Sequence, residues 1–231
     1  MEFKRTILAF LIPVASALSL SAHAADSFNI NVTGVISPAA CEANITGGET
    51  IDYGTIHVSK LSADAVTVLP GKQTAFSITC DAPAKVGFRT VDNRAGSKML
   101  ISELVTMDSG VRWALNNLNG LGVDGKGNRI GGWSSGLSQL TSDTISVPDV
   151  IYSDNGANWA KNNVTGQSYY VPLLSNARIY SMSTPGTLTP AAFTTLTGML
   201  DVQAVINPAS TLDLSQPVTL DGSVTVEMVY L

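Results

Sequence analysis

Apolar and polar residues alternate along much of this chain, and a period of two places successive side chains on opposite faces of an extended strand. Near the start, Phe28, Ile30, Val32, Gly34 and Ile36 are interleaved with Asn29, Asn31, Thr33 and Val35. At the other end Val224, Val226, Met228 and Tyr230 alternate with Thr225, Glu227, Val229 and Leu231. Between them the pattern predicts strands over 74–80 (TAFSITC), 85–91 (KVGFRTV), 169–174, 177–182 and 198–206. Shorter strands are predicted over 100–107, 112–115 and 218–220, and one over 49–56 whose glycine suggests a bulge. Pro70-Gly71 and residues 92–96 read as turns, and 120–132 as a glycine-rich hairpin. Polar loops are expected from there to Ser168, and a short helical turn over 189–195. No repeat or linker divides residues 38–231, so they are expected to form one domain.

Residues 1–24 read as a secretory signal and not as an element of the fold. Lys4 and Arg5 precede an apolar run over 7–20, interrupted by Pro13, which falls short of the roughly 20 residues of a membrane span. Ala22-His23-Ala24 is an A-x-A cleavage site, so the exported chain is expected to begin at Ala25. The whole chain has 13 Lys and Arg against 18 Asp and Glu. Cleavage would remove Lys4, Arg5 and Glu2 and leave it more acidic, which argues against nucleic acid as a partner. Charged residues make up only 13% of the chain. That sparseness, with abundant Thr, Ser, Asn, Val and Gly, points to an all-β domain with polar loops. One strand precedes this domain, at 25–37, and another closes the sequence. An immunoglobulin-like β-sandwich that lacks its last strand and lends its first to a neighbour would have this form.

The cysteine pair Cys41 and Cys80 is most simply a disulfide in an oxidising exported compartment. Two buried free thiols are the alternative. A metal site is disfavoured because only His57 would remain to complete it.

At this point the residues resemble the subunits of bacterial chaperone–usher pili. Those subunits begin with an extension of five alternating residues, the fourth a glycine seven positions before a cysteine. Phe28, Ile30, Val32, Gly34 and Ile36 fill those places ahead of Ala39-Ala40-Cys41. A second cysteine within an alternating strand matches Cys80, and a penultimate tyrosine matches Tyr230. The chain is longer than a typical shaft subunit, with the excess between Asp92 and Ser168, and Val218 stands where the family often has glycine. In length and middle segment it looks more like a fimbrial-like branch with a domain of unknown function. The resemblance implies a pilin-type sandwich whose groove beside Val224, Val226, Met228 and Tyr230 accepts a strand. An immunoglobulin-like periplasmic chaperone would fill it first. An outer-membrane usher would then exchange that strand for the extension of a neighbouring subunit, building a fibre at the cell surface.

Several motifs suggest chemistry and are read here as structure. Gly132-Trp133-Ser134-Ser135-Gly136 matches the nucleophile-elbow pattern, but the one histidine outside the signal, His57, precedes it. Residues 154–159 (DNGANW) resemble an Asp-box turn, with Tyr152 where a hydroxyl residue is wanted. Trp159 and Tyr152 could instead stack on a sugar, which would suit a tip subunit. Residues 124–128 (DGKGN) have the flavour of a calcium loop, but Lys126 stands where an oxygen ligand is needed. The sequons at Asn31, Asn44 and Asn163 carry no meaning in a chain that looks bacterial. The expectation is therefore a fibre subunit contributing to adhesion, without catalysis, metal or cofactor. A minor or tip subunit binding host glycans is the first alternative, and a secreted β-sandwich hydrolase the second.

Overall fold

The computed structural model describes residues 29–37, 39–162, 170–174 and 178–231. The signal segment, Phe28, Pro38 and the sequon at Asn163 lie outside the described residues. The chain divides into a unit ending at Ser37 and a unit from Pro38 to Leu231. The described residues of the first unit, 29–37, have no regular secondary structure, and Ile30, Val32, Val35 and Ile36 are all exposed.

The second unit is all-β. In chain order its strands are β1 (Cys41–Ile45), β2 (Thr67–Val68), β3 (Lys72–Asp92), β4 (Leu104–Thr106), β5 (Arg112–Ala114), β6 (Asn119–Gly120) and β7 (Gly131–Ser142). There follow β8 (Asp149–Ser153), β9 (Ala160–Lys161), β10 (Tyr170–Leu173), β11 (Ile179–Ser183), β12 (Ala192–Ile206) and β13 (Val224–Tyr230). Apart from the small β4–β5 pair, they form one antiparallel sheet along the path β10-β7-β12-β3-β11-β8-β9, with β1 and β13 also paired to β3. This sheet curls into a half-barrel, and β3 is the strand that turns the corner. Thr79 pairs with Thr195 of β12, but the next pair is Ala84 with Phe193, so extra residues of β3 are looped out at Asp81-Ala82-Pro83. Proline lacks the amide that a ladder needs, and a bulge bends and twists the strand that contains it. Before the bulge β3 pairs with β1 and β12; after it, β3 keeps β12 at Ala84 and Lys85 and then pairs with β11 and β13.

Alternation along these strands builds three cores. The first lies inside the curl and includes Ile78, Val86, Phe88, Leu137, Tyr180 and Leu196, with the Phe88 and Tyr180 rings stacked 6.0 Å apart. Ala204 and Ile206 of β12 enter a third core with Leu69, Leu121 and Ile130. Val205, on the other face of β12, enters a second core with Met107, Val111, Trp113, Leu115 and Leu118. Much of the excess middle segment thus has a packing role, since residues 99–118 cover one face of the sheet.

Four sequence expectations are corrected. Residues 49–56 form no strand, because the Asp52 carboxylate accepts from the Gly54 amide and Gly54 has φ +64°. That turn sends Tyr53 and Ile56 onto the third core without a ladder. Residues 218–220 form no strand either, and Val218 and Leu220 pack on the same core. The stretch over 189–195 is not helical; it bridges Ser183 to Pro190 and then opens β12. The supposed polar loops before Ser168 contain β7, β8 and β9.

Candidate functional site

The edge where β13 and β1 meet is the most distinctive feature of the domain. Both run antiparallel to β3, β13 beside residues 86–92 and β1 beside 76–80. Their ends are joined by a side chain: the Tyr230 hydroxyl accepts from the Cys41 amide at 2.8 Å. Main-chain bonds extend both ladders toward this junction, from Leu231 N–H to the Lys85 carbonyl and from Asp81 N–H to the Ala40 carbonyl, each 3.0 Å. Cys41 and Cys80 are opposite one another in the register and are joined by a disulfide.

Register decides which side chains of β13 face the core. Val224, Val226, Met228 and Tyr230 sit beside Asp92, Thr90, Phe88 and Val86. Thr90 and Val86 are 1% and 2% exposed, so this row points inward. Met228 follows its neighbours and packs on the first core. Val226 and Tyr230 do not: each is 52% exposed although its cross-strand partner is sealed. Inward-facing apolar residues left open to water mean that nothing among the described residues covers this margin of the core. Among the described residues β13 pairs only with β3, so its outer edge also carries main-chain groups without a ladder partner. The other face of β13 is ordinary surface, where Glu227 pairs with Arg89.

The row continues into β1, where Cys41, Ala43 and Ile45 sit beside Cys80, Ile78 and Phe76. Cys41 packs on the first core, whereas Ala43 is exposed beside a buried Ile78. Residues 41–45 were not among the strands read from the sequence. Their alternation was present, but a lone alanine and an isoleucine in CEANI are a weak signal. The hydroxyl contact of Tyr230 had no sequence signal, because it joins residues 189 apart.

The remaining candidates resolve into structure. Ser134 lies inside β7 and its hydroxyl donates to the Gln203 carbonyl at 3.4 Å. Residues 124–128 are a turn, in which the Asp124 carboxylate accepts from the Lys126, Asn128 and Asp213 amides and from the Asn128 side chain. These donors hold the Asp124 carboxyl far below the usual carboxylate range. In the Asp-box-like turn the Asn155 side-chain oxygen accepts from the Ala157 and Asn158 amides, and Gly156 adopts φ +74°. The Arg178 guanidinium lies over the Tyr152 ring at 4.2 Å and donates to Asp154, so that ring face is already covered.

Residues 30–134, which contain β1 through β6 and the start of β7, match a family described as a protein of unknown function, DUF1120. Over its whole length the chain is 28% identical to Protein GltF of Escherichia coli (strain K12), across 254 aligned positions that cover all of both proteins. It is 27% identical to the Uncharacterized protein YhcF of the same organism, with 96% of this chain and 98% of that one covered.

Proposed function

We propose that this protein is a structural subunit of a surface fibre, built by donor-strand exchange and free of catalysis. The observation that carries this reading is the pair Val226 and Tyr230, which face the core from an unpaired edge and remain half exposed. On this reading the half-barrel is an incomplete immunoglobulin-like sandwich, and the missing strand comes from the 25–37 extension of a neighbouring subunit. The extension has the right composition, since Ile30, Val32 and Ile36 alternate and are exposed in the lone chain. Seating four large apolar side chains would contribute up to about 6–12 kcal/mol, besides a ladder of main-chain hydrogen bonds. An open apolar edge is also an aggregation hazard, which gives a periplasmic chaperone its role before an outer-membrane usher passes the subunit on.

A synthetic peptide with the sequence of residues 26–38 tests this directly. Added to the depolymerised subunit, it should bind in equimolar ratio and raise the melting temperature. A Gly34→Leu version of the peptide should bind far more weakly. A subunit that stays monomeric and neither binds the peptide nor melts higher would show that the edge accepts no strand.

A further inference from the structure

A second feature lies near the opposite end of β3 from the β13 ladder. A cleft of about 320 Å3 is lined by Lys72, Gln73, Asp108, Ser134, Asp201 and Gln203, among others. Asp201 and Gln203 project from the face of β12 that also carries Val205, while Ala204 and Ile206 on the other face are in the third core. The turn between β4 and β5 brings Asp108 over this face. There the Asp108 amide donates to Gln203 Oε1 at 2.8 Å, and its carboxylate Oδ2 accepts from the Gly71 amide at 2.8 Å.

The walls are held before any ligand arrives. Gln203 is buried, and its Nε2 donates to the Leu69 carbonyl at 2.7 Å. Asp201 accepts from the Gln73 side-chain amide and from the Ser138 hydroxyl, which ties together β3, β12 and β7. This bracing leaves a mixed set of groups without partners among the described residues. Asp108 Oδ1 and Gln73 Oε1 are free acceptors. The Lys72 ammonium is not part of this set: Lys72 pairs with Val202, and its ammonium lies on the third-core face over the Tyr53 ring, 5.3 Å from its centre. Gln203 Nε2 retains a second hydrogen.

Free donors and acceptors side by side suit a ligand whose own groups both donate and accept, which is what a hydroxyl does. Two carboxylates on this face disfavour an anion. Among the described residues no group of three or more His, Cys, Asp or Glu is placed to hold a metal. The cleft has room for one sugar ring and not for a large apolar molecule. We propose that this cleft binds one uncharged, hydroxyl-rich sugar residue, with Asp108 and Gln73, which pairs with Asp201 on the same face, contacting adjacent hydroxyls. The site is independent of the β13 edge, so it stands or falls separately from the fibre reading.

Saturation-transfer NMR on the purified protein tests this, because it reports millimolar binding whether the protein is monomeric or assembled. The probes are galactose, glucose, mannose, N-acetylglucosamine and the anionic N-acetylneuraminic acid. At least one neutral sugar should receive saturation. Asp108→Ala and Gln73→Ala, both at exposed positions, should each weaken that binding by roughly tenfold or more while leaving the circular dichroism spectrum unchanged. Silence from all four neutral sugars, equal transfer in both variants, or a stronger signal from the anionic sugar would overturn the proposal.

Discussion

Asp124 shows how one side chain can close a loop. Its carboxylate takes four donors from three residues, and Asp213 is drawn in from far along the chain. Elsewhere the Gly186 amide and then Lys161 lower Asp149, and the Thr194 hydroxyl and Thr195 amide lower Asp143. Each group has a folded pKa below its unfolded value, so each contributes stability that is complete above the unfolded pKa. That stability is lost as pH falls through the folded value. Melting temperature should therefore be flat near neutrality and fall progressively below about pH 4. A melting curve insensitive to acid would contradict these hydrogen bonds. Gly34 makes a different case. A Cβ added there meets nothing within 4 Å, so Gly34→Leu should leave the lone chain's folding unchanged. In a neighbour's groove the same side chain would overpack a closed wall, at a cost of about 1–3 kcal/mol or more. The expected phenotype is a subunit that accepts a donor peptide yet cannot extend into the next; normal polymer length would remove Gly34 from the donor strand.

Among the elements, β1 depends on its covalent tie. It is five residues long, and its disulfide to β3 spans 39 residues of sequence. On the chain-entropy account, closing a loop of that length stabilises the fold by about 4 kcal/mol. Replacing both Cys41 and Cys80 by serine should lower the denaturation free energy by about that much and leave the Tyr230 contact without its anchor. Equilibrium unfolding measured with and without donor peptide would report both effects. The segment over 99–118 invites a different substitution. Leu118 is fully buried in the second core, so Leu118→Ala should cost about 2–5 kcal/mol. A small loss there would mean that this layer is not packed on the sheet.

For the whole molecule, the fibre reading makes a topological prediction. Appending a second copy of residues 26–38 after Leu231, through a flexible linker, would supply the missing strand from within the same chain. The fused protein should be monomeric and melt well above the unfused one, which should polymerise or aggregate. If the unfused protein is already a monomer with the same melting temperature, the sandwich is complete and strand exchange has no role.

The all-β class, the 74–80, 85–91 and 198–206 strands and the cysteine pair were legible from residue order alone. In each of them alternation or isolation of residue type is a local property, and burial on one face enforces it. Other features depended on what lies beside the chain in space. The strand β7 looked like loop because GGWSSGLSQLTS is polar, yet beside β12 the Ser134 hydroxyl finds the Gln203 carbonyl and the Ser138 hydroxyl finds the Asp201 carboxylate. Residues 49–56 looked like strand, yet a side-chain turn at Asp52 diverted them. At the candidate site, the inward row of β13 could be read from the sequence. That Val226 and Tyr230 of that row stay open could not, because exposure at a sheet edge is set by which strands are next to it. The same holds for the polar cleft, whose residues come from four separate stretches of sequence and meet only once the sheet has curled.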